Sequence, residues 1–213
     1  MVLDGPKAGM ARPDPGLAKS ARCVSLCPSA AQDRAALPAR GRPMDIRYVC
    51  SEDERRTDAV LAAVAERAAQ QGIALAGTVQ PVDPDVPPEK CHIVLALLPD
   101  GERRDISYPL QPGHEGCRLN PGALEEAVVV VQRRLPGAQA LVVNKFGKQE
   151  AAGRGLVHAI GEACARGIPV LIGVSPALLD AFLDFADGRA ERLPAEEAPI
   201  FDWLRTGCAA SAA

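Results

Sequence analysis

Two segments of this chain share one shape: AERAAQQGIALAGTV (residues 65–79) and GEACARGIPVLIGV (residues 161–174). Each is a helical run stopped by a glycine and followed at once by a short, continuously apolar strand. A strand that is apolar on both faces has to be covered on both faces, which is the condition of a parallel sheet between helical layers. The repeated half-unit therefore predicts an α/β fold and does not require a duplicated domain.

The rest of the chain from Met44 alternates in the same way. Asp45 to Cys50 predicts a first strand, and Thr57 or Asp58 can cap a helix running to about Gln71, where Gly72 stops it. Ile73 to Val79 is the next strand. Cys91 to Leu98 follows a Pro- and Asp-rich loop, and Pro99-Asp100-Gly101-Glu102 turns it into a hairpin with Ile106 to Leu110 as partner. Asn120-Pro121 is an N-cap followed by proline at the first helical position, opening a helix to about Leu135. The strand Leu141-Val142-Val143 leads through a polar loop into a helix over about Gly155 to Arg166, with Leu156, Ile160 and Cys164 inward. Ile168 to Val174 is a buried strand, and Ala177 to Ala186 a short helix. The order predicts a three-layer α/β domain over 44–193, with a mostly parallel central sheet and a β-hairpin insertion. Residues 194–213 are expected to form a mostly irregular extension.

Residues 1–43 differ in kind. They hold six prolines, four glycines and no sustained apolar period, with seven basic side chains against three acidic. Such a segment buries too little surface to offset its ordering entropy, and a disordered basic extension is expected, with Met44 as the effective start of the fold. The formal net charge is −3, which places −7 on the remainder and excludes a general nucleic-acid binder. No apolar run approaches the roughly 20 residues that span a bilayer. The seven cysteines are scattered and odd in number, so they describe no disulfide framework, and a reduced, cytoplasmic protein is expected. Cys23 and Cys27, spaced C-x₃-C, lack a second ligand pair. His114 and Cys117, with Cys91 and His92, would need an approach that no metal motif in the sequence supports.

The chemistry concentrates in LVVNKFGKQEAAGR, Leu141 to Arg154. In a parallel sheet, the loop beyond a strand's carboxyl end is where ligands are met. Here that loop carries Lys145, Lys148 and Arg154 beside Gly147, Gly153 and Gly155, the makings of an oxyanion or phosphate site. Asn144 is placed to donate to the same ligand, and Glu150 to orient a lysine. Arg118, in the loop before the Asn120 helix, adds a cation if it reaches the same edge. The competing reading is a solvated, charged loop whose glycines only make turns. No nucleophile elbow or triad surrounds Ser107 or Ser175.

GCRLNPGALEEA (Gly116 to Ala127) and LVVNKFGKQEAAGRG (Leu141 to Gly155) resemble the two signature stretches of a bacterial family of unknown function. Some of its members carry a label as molybdenum-transporter ATP-binding proteins. The resemblance covers roughly residues 45–193. The family is in turn distantly similar to small P-loop nucleoside triphosphatases related to the thermophile nucleotide phosphatase. It implies a P-loop-NTPase-like fold, a nucleotide or molybdate as ligand, and a transporter or metal-enzyme subunit as partner.

Both catalytic motifs of those enzymes depart here. A working phosphate loop has the form G-x-x-x-x-G-K-[ST], whose backbone amides and lysine cradle phosphate. This chain has Cys50-Ser51-Glu52-Asp53-Glu54-Arg55-Arg56-Thr57, with neither glycine nor lysine and with three carboxylates. Arg55, Arg56 and Thr57 could still meet a phosphate at the helix amino terminus. The acidic motif Asp-Glu-x-Gly-x-x-Glu is replaced by Asn144-Lys145-Phe146-Gly147-Lys148-Gln149-Glu150. The two losses agree, and point to a module that binds a nucleotide or small oxyanion without hydrolysing it. An active nucleoside triphosphatase and an interaction protein with a decayed site are the alternatives.

Overall fold

The computed structural model describes residues 44–81, 92–109 and 119–211. The expected basic extension with Cys23 and Cys27 lies outside these residues, as do Cys91, His114, Cys117 and Arg118.

Seven strands form one sheet in the order β4-β3-β2-β5-β6-β1-β7. They are β1 (Ile46–Cys50), β2 (Leu75–Val79), β3 (Val94–Leu98), β4 (Glu102–Asp105), β5 (Ala140–Phe146), β6 (Val170–Val174) and β7 (Ala190–Leu193). The pairs β2–β5, β5–β6, β6–β1 and β1–β7 are parallel, and the β3–β4 hairpin joins β2 antiparallel. The helices are α1 (Glu54–Gln70), α2 (Pro121–Arg134), α3 (Lys148–Ala151), α4 (Val157–Ala165), α5 (Leu179–Phe185) and α6 (Glu197–Ser211).

Two apolar clusters explain the layering. On one face Leu141, Val143 and Ile172 pack under Val128 and Val131 of α2, Ile160 of α4 and Phe182 of α5. On the other, Val49, Val142 and Leu171 pack under Leu61 and Val64 of α1 and Ile200, Phe201 and Leu204 of α6. The three-layer, mostly parallel α/β architecture with its hairpin is the one expected. Gly173 lets β5 and β6 close up against α1, since a Cβ there would lie 2.1 Å from the Asn144 carbonyl oxygen and 2.9 Å from Leu61.

Four local expectations differ from the structure. First, α1 begins a turn earlier than Thr57, because the Asp53 carboxylate accepts from the Arg55 amide (3.0 Å) and caps the helix. Second, the hairpin partner of β3 is Glu102–Asp105, directly after the turn, and Ile106 lies beyond it. Its four residues are exposed, as an edge strand bearing charges tolerates. Third, β5 does not end at Val143 but continues through Asn144 and Lys145 to Phe146. Its pairing with β6 runs to Val143↔Ile172 and resumes at Phe146↔Val174, so β5 carries one extra residue, a β-bulge. Fourth, the expected irregular carboxyl extension contains α6, whose Trp203 donates to the Asp45 carboxylate (3.0 Å) while Ile200, Phe201, Leu204 and Cys208 are buried. Among the described residues, no helix is long and apolar enough to cross a membrane.

Candidate functional site: a cavity at the carboxyl edge of the sheet

The chain leaves β1 into α1 on one face of the sheet and leaves β5 into α3 and α4 on the other. The crevice between such departures, at the strands' carboxyl ends, is where α/β sheets bind ligands. A cavity of about 460 Å³ opens there, within the size range of small-molecule sites. Because β3 is antiparallel, its beginning at Ile93 reaches the same edge. Its lining combines aliphatic side chains, Ile93, Leu95, Ile106, Leu119, Leu124 and Leu156, with the polar and charged Glu54, Arg55, Asp58, Asn144, Lys145 and Lys148.

Of the residues singled out in the sequence, Asn144, Lys145, Gly147, Lys148 and Glu150 all line this cavity. Arg154 is not among its lining residues; its guanidinium donates to the Gln149 side chain (2.8 Å) on the exposed surface. The placement of Arg118 is outside the described residues. The side chains of Lys148 and Arg55 have no hydrogen-bonding or ion-pair partner among the described residues. Lys145 Nζ bonds Glu54 Oε2 at 2.5 Å.

Asn144 is only 4% exposed and acts as a structural hub. Its Oδ1 accepts from the Gln80 amide (2.9 Å), tying the end of β2 to β5, and its side chain lies near enough to Asp58 to favour that group's charged form. Glu150 is 6% exposed and is likewise committed to the backbone. One carboxylate oxygen accepts from the Gly147 amide (2.9 Å) and the other from the Leu156 amide (3.1 Å), bracing the turn that carries Lys148. Gly155 has φ +61°, and a Cβ there would lie 2.2 Å from Glu150 Oε1. Glu150 therefore holds the loop and does not orient a lysine.

The α1 amino terminus is not a phosphate cradle. The Arg55 amide goes to the Asp53 carboxylate, and the Arg56 and Thr57 amides go to the Asp53 carbonyl (3.0 and 3.4 Å). Arg56 points away, donating to the Ala195 carbonyl (3.3 Å). Any anion here must be met by side chains.

The sequence offers Thr57 and Asp58 as alternative helix caps and gives no sign that Asp58 lines the cavity. Capping by Asp53 moves them a turn into α1, where Asp58 shares the inner face with Leu61, three positions on. Asp58 is 8% exposed, and burial raises its pKa to about 6; Lys145 and the Asn144 side chain pull it down, while Glu54 and Asp53 push it up. Thr57 Oγ1 is buried without a hydrogen-bond partner. The aliphatic lining was legible only as core, since its residues come from scattered places: in and just before β3, after β4, in and just before α2, and just before α4. Among the described residues, no group of three or more His, Cys, Asp or Glu could hold a metal ion, and His92 pairs with Asp105 (3.1 Å).

Comparison with known proteins adds three findings. The chain is 38% identical over 109 residues to molybdenum import ATP-binding protein ModC 2 of Bradyrhizobium diazoefficiens, a match covering 51% of this chain and 12% of that protein. THEP1 of the hyperthermophile Aquifex aeolicus superposes with a TM-score of 0.49 at 10% identity, covering 76% of this chain and 96% of that one. A family model described as "Protein of unknown function (DUF2478)" matches residues 46–203, well over half of the chain and including β7 and most of the first two turns of α6. The chain belongs to that family.

Proposed function

We propose that the cavity at the carboxyl edge of the sheet binds a nucleotide or a small oxyanion without hydrolysing it. The observation that carries this reading is the convergence of Lys145, Lys148 and Arg55 on one cavity that is also lined by six aliphatic side chains. Cations placed against an apolar surface suit a ligand with an anionic end and an apolar body. Asn144, Lys145, Gly147, Lys148 and Glu150 form the site, the two lysines by contact and the other three by holding the backbone that presents them.

Binding without hydrolysis follows from how the acidic groups are used. Glu150 is fixed by two backbone amides and Glu54 is paired with Lys145. Asp58 is buried near Asn144 and Lys145, so among the described residues that line the cavity no carboxylate is left free to hold an attacking water. The name of the ModC 2 relative makes molybdate the oxyanion to set beside phosphate. A cytoplasmic setting suits the three described cysteines, all free thiols.

Titration calorimetry with ATP, GTP, phosphate and molybdate tests the reading. Heat is expected with at least one of them, and Lys145→Ala with Lys148→Ala should weaken it at least about tenfold, or about 1.4 kcal/mol. Silence with all four up to millimolar concentration would overturn it.

A second reading rests on one finding: the matched segment makes up only 12% of the ModC 2 relative's length. A module found within a longer protein can serve as a regulatory part beside a transporter or metal-enzyme subunit. Co-purification of such a subunit, unchanged by the lysine substitutions, would favour that role over ligand binding.

A further inference from the structure

A small cleft of about 10 Å³ shares Glu54, Asp58, Asn144 and Lys145 with the large cavity and is further lined by Thr57, Gly173, Val174 and Ser175. Its chemistry is that of a cation site. Glu54 and Asp58 offer hard carboxylate oxygens, and Thr57 Oγ1 is a buried oxygen with no partner of its own, only 5% of the residue being exposed. Phosphate ligands commonly travel with Mg²⁺, which demands near-octahedral oxygen at about 2.0–2.1 Å and keeps several of its waters. Only two carboxylates line this cleft, and among the described residues no group of three or more His, Cys, Asp or Glu could hold a metal ion.

What fills the electrostatic role is already in the chain. Lys145 Nζ is 2.5 Å from Glu54 Oε2 and is the largest charge influence on Asp58, ahead of the carboxylates of Glu54 and Asp53. An ammonium supplies one positive charge and three donors without needing six oxygens around it. A divalent ion entering here would have to displace that ammonium from the Glu54 carboxylate. Building on the ligand-binding reading above, we propose that this site takes its anionic ligand without a divalent metal, Lys145 being the cation the site provides for itself. The ligand class is thereby narrowed to the metal-free anion: free ATP, phosphate or molybdate in place of a magnesium complex.

The full-length protein tests this in two arms. In the first, ATP is titrated calorimetrically in EDTA and again in excess Mg²⁺. Affinity in EDTA is expected to match or exceed that in Mg²⁺, and a loss of about tenfold or more in EDTA would overturn the proposal. In the second, Mn²⁺ binding is followed by electron paramagnetic resonance with no nucleotide present. The wild-type protein should leave the free-ion signal intact, while Lys145→Ala and Lys145→Gln, each confirmed folded by circular dichroism, should gain a bound Mn²⁺ that the added change Asp58→Asn removes. Mn²⁺ bound by the wild type and lost on Asp58→Asn, or no gain in either lysine variant, would overturn it. Failure of ATP to bind under either condition would overturn the ligand reading, while the Mn²⁺ arm would still decide whether Lys145 replaces a metal.

Discussion

Lys145 and Glu54, ninety-one positions apart, meet in a 2.5 Å ion pair at the mouth of the cavity. The carboxylate is thus a resident competitor for any anion that approaches the lysine. Both side chains are about half exposed, where such pairs contribute about 0.2–1 kcal/mol. Glu54→Gln should leave thermal stability almost unchanged and raise the affinity for phosphate or ATP roughly two- to fivefold. Calorimetry on the two proteins side by side measures it, and unchanged or weaker binding would show that Glu54 does not compete.

Asp58 gives stability a specific pH dependence. Its pKa in the folded chain is raised from 3.8 to about 6, so the folded state holds a proton that the unfolded state releases. Stability from this group is therefore greatest below about pH 4 and is lost as pH rises through about 6, after which it is flat. Asp58→Asn should stabilise the protein at pH 7.5 by roughly 1–3 kcal/mol and by almost nothing at pH 4. Urea unfolding of both proteins across that range reads the difference, in which other titrating groups cancel.

The turn after β5 depends on Glu150. Glu150→Ala leaves the Gly147 and Leu156 amides without their acceptor and should cost about 2–3 kcal/mol. Hydrogen exchange should speed up at those two amides first, while β6 and β1 keep their protection. Gly155→Ala should have a similar local effect, because its Cβ would collide with the same carboxylate and its φ is left-handed.

The carboxyl helix is part of the fold. Phe201 is 1% exposed under α1, with the Arg67 guanidinium 4.2 Å above its ring. Phe201→Ala should destabilise by about 3–5 kcal/mol, measured as a lower urea midpoint with an unchanged slope.

Several parts of this architecture were legible because they rest on local chemistry. Asn120 accepts from the Gly122 and Ala123 amides as its position before proline predicts, and Gly72 and Gly167 follow their helices with positive φ. The two lysines were found because charges just beyond an apolar strand stand out in any sequence. What was hidden depends on partners far along the chain. Nothing near Ala195 announces that α6 will be covered by Leu61 and Val64, and β4 has no apolar residue to betray a strand. Asp58 is the clearest case, an ordinary acidic helix residue until Asn144 and Lys145 arrive from β5 to bury it.

The extra residue in β5 has a consequence for how this site can arise or vanish. Along a regular strand, neighbours point to opposite faces, so Asn144 and Lys145 would be divided between the two helical layers. With the bulge, both reach α1, Asn144 to Asp58 and Lys145 to Glu54, while Phe146 returns to the layer of Val143 and meets Phe182. Substitution alone cannot move between the two arrangements. Loss of the Lys145 codon would keep the strand, Asn144 and the aromatic anchor yet take the lysine away from Glu54, so the length of this strand, as much as its side chains, decides whether the site exists.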